Sequence, residues 1–125
     1  MTNIPRRKGT TWESAIVDYL RGRGAIHAER RALNGASDRG DIAGVPSVVM
    51  EAKNAASVKL GVWVSEMRAE VANDGAAVGA VWIKRRGKSS PGDGYVVITG
   101  DDWVTLLIEA GYIPWKTKVR SYDRA

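Results

Sequence analysis

The segment Arg39-Gly40-Asp41-Ile42-Ala43-Gly44-Val45-Pro46-Ser47-Val48-Val49-Met50-Glu51-Ala52-Lys53 constrains the fold more than any other part of the chain. A Gly/Pro/Ser turn separates a short stretch beginning at Asp41 from the apolar run Val48-Val49-Met50, which predicts a β-hairpin. Residues two apart on a strand share a face. Val49, Glu51 and Lys53 therefore leave one side of the sheet, and Val48, Met50 and Ala52 leave the other, into the core. An acid and a base at the end of so apolar a strand are unexpected for plain packing. The plain alternative is a solvent-facing pair on an edge strand; with Asp41 across the turn, the three residues are the candidate site.

The flanking sequence says what this hairpin is built into. Thr10-Thr11-Trp12-Glu13 fits a capping box with Thr10 as N-cap, so a helix is predicted from Thr10 or Thr11, with Trp12, Ala15, Ile16, Tyr19 and Leu20 on one face and Gly22 and Gly24 as its stop. Residues 25–33 read as a strand and 34–40 as a loop. Leu60 to Asn73 reads as a second helix with Trp63, Val64, Met67 and Val71 inside and Gly75 past its end. Residues 77–83 form an apolar strand ending in Lys84-Arg85-Arg86-Gly87-Lys88, and residues 95–99 a further strand. Asp101 or Asp102 is expected to cap a third helix closed by Gly111. Helices interleave with strands, so the expected fold is α/β, a mixed central sheet flanked by helices with core order α-β-β-β-α-β and an extra C-terminal strand and helix. Residues 1–9 are expected to be a basic arm and residues 10–125 a single domain.

Charge and composition narrow the partners. The 125 residues carry 19 Lys and Arg against 14 Asp and Glu, a net charge of +5, which suits a polyanion such as nucleic acid. The chain lacks cysteine, which removes disulfides, thiol catalysis and the usual structural zinc sites and mildly favours the cytoplasm. No stretch of about 18 apolar residues exists to span a membrane, and the basic N-terminus has no apolar segment behind it to make a secretory signal.

Asp41 and Glu51 would supply oxygen ligands to a hard divalent cation, expected to be Mg²⁺, with Mn²⁺ as a substitute. Such an ion neutralises phosphate charge and lowers the pKa of a water. Lys53, a compact cation, would position that water or stabilise charge on the scissile phosphate. In these residues the chain resembles the PD-(D/E)XK nuclease superfamily, whose signature is an Asp, a spacer and Glu-x-Lys on one hairpin. Arg7-Lys8-Gly9-Thr10-Thr11-Trp12-Glu13 ahead of an amphipathic helix is similar to the N-terminal motif of Holliday-junction resolvases of the archaeal type and their phage relatives. The resemblance covers residues 7–84. It implies a restriction-endonuclease-like fold, a Mg²⁺-dependent endonuclease acting in DNA recombination or repair, Glu13 and the Ala52 carbonyl as further metal ligands, and a homodimer that cuts two strands. The family's usual proline before the aspartate is Gly40 here. A restriction-type, repair or single-strand nuclease, and a non-catalytic nucleic-acid-binding module, stay open as alternatives.

Other residues take lesser parts. Arg6, Arg7, Lys8, Arg39, Lys84, Arg85 and Arg86 are the expected DNA contacts. Glu13 is also explained by the capping box, and Glu66 stands in the second helix, where the nucleases that the chain resembles often carry a glutamine. His27 is expected to be structural or exposed, and Asp38 to shape a turn. Trp12, Trp63, Trp82 and Trp103 fall on core faces and are not expected to stack on bases. The site makes one geometric demand. A two- or four-residue hairpin loop would pair Asp41 with Met50 and turn it to the core, so a three-residue loop at Gly44-Val45-Pro46, pairing Asp41 with Val49, or a bulge, is required to bring Asp41 to Glu51.

Overall fold

The first helix, α1, spans Ile4–Gly22 in a computed structural model that describes residues 4–31 and 39–115, residues 4–8 by their backbone alone. It begins well before Thr10. Pro5 sits in the first turn, where a missing N–H costs nothing and a fixed φ is already helical. Residues 4–9 thus belong to α1, and Thr10 and Glu13 lie inside that helix, so there is no capping box. Trp12, Ile16 and Val17 form its buried stripe.

Of the strand expected over residues 25–33, residues 32 and 33 lie outside the described residues, and the described residues hold β1, Glu29–Arg30. Ahead of it the chain turns tightly, with the Ala25 N–H donating to the Leu20 carbonyl at 2.9 Å and the Ala28 N–H to the Ala25 carbonyl at 3.1 Å. Then follow β2 (Ile42–Ala43), β3 (Val48–Lys53), α2 (Leu60–Asp74), β4 (Val78–Ile83), β5 (Tyr95–Val97) and α3 (Gly100–Glu109). Asp38, with most of the loop expected over 34–40, lies outside the described residues. The strands form one five-stranded sheet in the order β1-β2-β3-β4-β5. The β3–β4 pair is parallel and the other neighbours are antiparallel. The chain is therefore α/β, with a mixed sheet flanked by helices.

Both faces of β3 and β4 are covered, as parallel strands require. Trp12 and Ile16 pack on Ile42, Met50 and Trp82 on the α1 side, where the Trp12 indole N–H donates to the Trp82 carbonyl at 3.1 Å. Trp63, Met67 and Val71 pack on Val49, Val81 and Ile83 on the α2 side. The face that carries Glu51 is therefore not an open surface but the underside of α2.

Helix α3 is capped by Thr99, not by Asp101 or Asp102. The Thr99 hydroxyl accepts from the Asp102 N–H at 3.2 Å. Asp102, only 4% exposed, instead accepts from Arg68 Nη1 at 2.7 Å and from the Gly79 N–H at 3.0 Å, tying α3 to α2 and β4. Thr99→Ala should cost about 1 kcal/mol in urea unfolding while Thr99→Ser stays near wild type; equal stability of all three would remove the cap. Trp103, expected in the core, is 54% exposed and borders an apolar groove of about 580 Å³ with Val96, Ile98 and Leu106. Among the described residues no helix is long and apolar enough to cross a membrane.

Candidate functional site

The hairpin meets its geometric demand by a bulge. Ile42 is the register partner of Met50, which rules out the expected pairing of Asp41 with Val49. The Asp41 N–H also donates to the Met50 carbonyl, at 2.9 Å, so two successive residues face one. This is a β-bulge, a device that re-aims a side chain. Gly40 and Ser47 set it up from either side, with φ of +99° and +67°. Proline, fixed near −65°, could not take the Gly40 backbone, which accounts for glycine where the resemblance has proline. Gly44 (φ +94°) is equally constrained, since a Cβ there would collide with the His27 carbonyl.

The re-aimed Asp41 carboxylate accepts from the Ala52 N–H at 2.8 Å. In a strand the N–H and carbonyl of one residue leave on the same side. The Ala52 carbonyl therefore also points toward the Asp41 side, while the neighbouring Lys53 carbonyl is taken by the Lys84 N–H at 2.9 Å on the β4 side. Glu51, 5% exposed, lies under α2 within hydrogen-bond reach of both Asp41 and Glu70. Burial first, then Asp41 and Glu70, push its pKa far above the ordinary carboxylate range. Ionised carboxylates only accept hydrogen bonds, and Glu51 Oε1 is buried with no hydrogen-bond partner among the described residues. A proton or a cation is needed there.

Glu13 approaches from α1. Burial and the Asp41 charge raise its pKa, opposed by Arg30, whose Nε donates to Glu13 Oε1 at 3.1 Å. The structure thus brings Glu13, Asp41 and Glu51 into one electrostatic neighbourhood and adds Glu70, which the sequence reading missed. Among the described residues, however, no group of three or more His, Cys, Asp or Glu side chains has the spacing to hold a metal ion. Lys53 Nζ is 3.5 Å from Glu66 Oε1 and 5.6 Å from the centre of the Trp63 ring, so Glu66 serves as the partner of Lys53.

The expected phosphate contacts divide. Arg39 is 3.8 Å from Asp74, and Arg85 lies over the Tyr95 ring at 5.6 Å. Lys84 and Arg86 line a pocket beside Asn54. Arg6, Arg7 and Lys8 belong to α1, with side chains outside the described part of the structure. His27 is exposed. Among known proteins, no family model, curated protein or solved structure matches the chain.

Proposed function

We propose that this protein is a Mg²⁺-dependent DNA endonuclease of the restriction-endonuclease-like fold that hydrolyses phosphodiester bonds in branched DNA, with the Holliday junction as the favoured substrate. The carrying observation is the desolvated Glu51 carboxyl beside Asp41, two residues from Lys53 at the carboxyl end of a central strand. A carboxyl group held out of water with no donor on one oxygen is poorly arranged for stability and suits a bound cation. Asp41 and Glu51, with the Ala52 carbonyl, are the groups that would hold Mg²⁺, while Glu13, the further carboxylate that the resemblance adds, is paired with Arg30. When bound, the ion supplies charge neutralisation at the phosphate and a more acidic water.

The chain's own residues do the rest. Lys53, restrained by Glu66 and Trp63, presents a cation to the charge that grows on the scissile phosphate as water adds to phosphorus and the P–O bond breaks. Asp41 holds the Ala52 N–H and so fixes the strand end that carries both catalytic side chains. Two cuts on a two-fold substrate call for a homodimer, and the apolar groove beside Trp103 offers a surface for it.

The test is cleavage of four-way junction, duplex, flap and single-stranded DNA, with Mg²⁺ or EDTA, by wild type and Lys53→Ala. Junction cutting that needs Mg²⁺ and falls at least about 10²-fold in Lys53→Ala is expected. Preference for linear duplex would remove the resolvase assignment, and no cutting of any substrate would leave a binding module.

A further inference from the structure

We infer that the pocket at the carboxyl ends of β3 and β4 is a phosphate-binding subsite. It has a volume of about 320 Å³ and is lined by Asn54, Ala55, Ala56, Lys84, Arg86 and Gly87. That volume falls at the small end of ligand sites. The pocket opens at the carboxyl ends of two adjacent parallel strands, the edge at which open α/β sheets bind ligands. The Lys84 N–H to Lys53 carbonyl bond closes the strand pair at its base. Beyond that bond the chain after β3 and the turn after β4 form the two walls.

The lining suits an anion. It contains two cations and a side-chain amide and no carboxylate. Neither Lys84 nor Arg86 forms an ion pair with a described residue, whereas Lys53, Arg39 and Arg68 all do. Two like charges that share one pocket repel each other unless an anion sits between them. Arg86 supplies a planar fork that grips two phosphate oxygens, and Lys84 a point charge. Ala55 and Ala56 leave the backbone approachable, and Gly87 takes φ +78° in the turn that holds Arg86 in place. Arg85, between the two pocket cations in sequence, is drawn off onto Tyr95, so the basic run delivers alternate residues to the pocket.

The ligand is a phosphate group, and on the nuclease reading it belongs to the strand being cut. Asn54 directly follows Lys53, so a phosphate held here sits next to the one at the carboxylates and sets the register of the strand without reading its bases. The dependence on that reading concerns only where the phosphate comes from.

Full-length ¹⁵N-labelled protein titrated with inorganic phosphate and with a short single-stranded oligonucleotide tests the subsite. The amides of Asn54 and Gly87 report on the pocket, and Arg86→Ala, Lys84→Ala and Lys88→Ala are compared. Lys88 is an equal charge in the same turn but outside the lining. The oligonucleotide should shift Asn54 and Gly87, and its affinity should drop about 5- to 10-fold in each pocket variant and less than 2-fold in Lys88→Ala. The salt slope should fall by about one in the pocket variants. Shifts with inorganic phosphate as well would identify a site for free phosphate, while shifts with the oligonucleotide alone would identify one for backbone phosphate. If all three variants weaken binding equally, or Asn54 and Gly87 do not move, the subsite is refuted even where DNA is cut. If DNA is not cut but the pocket amides respond and Arg86→Ala silences them, the subsite stands and the nuclease reading falls.

Discussion

Asp41→Asn is expected to lower DNA cleavage by about 10³-fold or more while leaving the fold intact. Asp41 has two separable tasks. Its carboxylate accepts the Ala52 N–H at 2.8 Å, and its charge lies beside Glu51 and Glu13, raising the pKa of both. An asparagine oxygen can keep the first task and cannot perform the second. The variant should therefore melt at or slightly above the wild-type temperature at pH 8, because like-charge repulsion in the cluster is relieved. It should also lose the thermal shift that Mg²⁺ gives the wild type. Asp41→Ala separates the tasks from the other direction. It strands the Ala52 N–H and should cost about 1–3 kcal/mol of stability as well as activity. Single-turnover cleavage and thermal unfolding of both variants check this. Asparagine variants that cut at the wild-type rate would mean that Asp41 only caps the strand.

What the sequence disclosed follows from which interactions are local. The apolar spacing of Trp63, Met67 and Val71 was enough for α2, and Gly75 for its end, where the backbone takes φ +68°. The β4 run and the charges closing β3 were legible in the same way. The start of α1 was misplaced because the Thr10 capping pattern competed with Pro5, and Pro5 was the better signal. Glu70 went unseen for a different reason. Its position, three residues past Met67, lies on the inner side of α2, but a carboxylate there reads as a solvent residue until Glu51 is known to face it across the interface. The bulge at Asp41 was legible only as a requirement. It depends on a left-handed Ser47 and on Gly40, and the sequence shows which residues tolerate such backbones, not which ones adopt them. The pairings of Glu13 with Arg30 and of Arg68 with Asp102 span 17 and 34 residues, separations over which no sequence periodicity extends.

Glu51→Gln should stabilise the cation-free protein by about 2–4 kcal/mol at pH 8 while abolishing cleavage. The folded-state pKa of Glu51 is raised, chiefly by burial and then by Asp41 and Glu70. An unfolded glutamate ionises near pH 4.3, so above that pH the native state holds a proton that the unfolded chain has released. The favourable contribution of this group is thus complete below the unfolded pKa and is lost as pH rises toward the folded pKa. Wild-type stability should decline from about pH 5 through neutrality, by at most about 1.4 kcal/mol per pH unit for one proton. Glutamine removes the ionisation, and its amide N–H groups can donate to the acceptors that a bare Glu51 carboxylate repels. The slope should therefore flatten to the smaller residue left by Glu13, whose pKa is raised in the same direction. A divalent cation replaces the proton in the wild type only. At 100 times its Kd, Mg²⁺ should add about 2.7 kcal/mol and release protons on binding, and neither effect should occur in the variant. Urea unfolding at pH 5.5 and pH 8, with EDTA or Mg²⁺, reads all of these together. A Glu51→Gln protein less stable than wild type at pH 8 without metal would show that the carboxyl is satisfied in the fold and has no need of a cation.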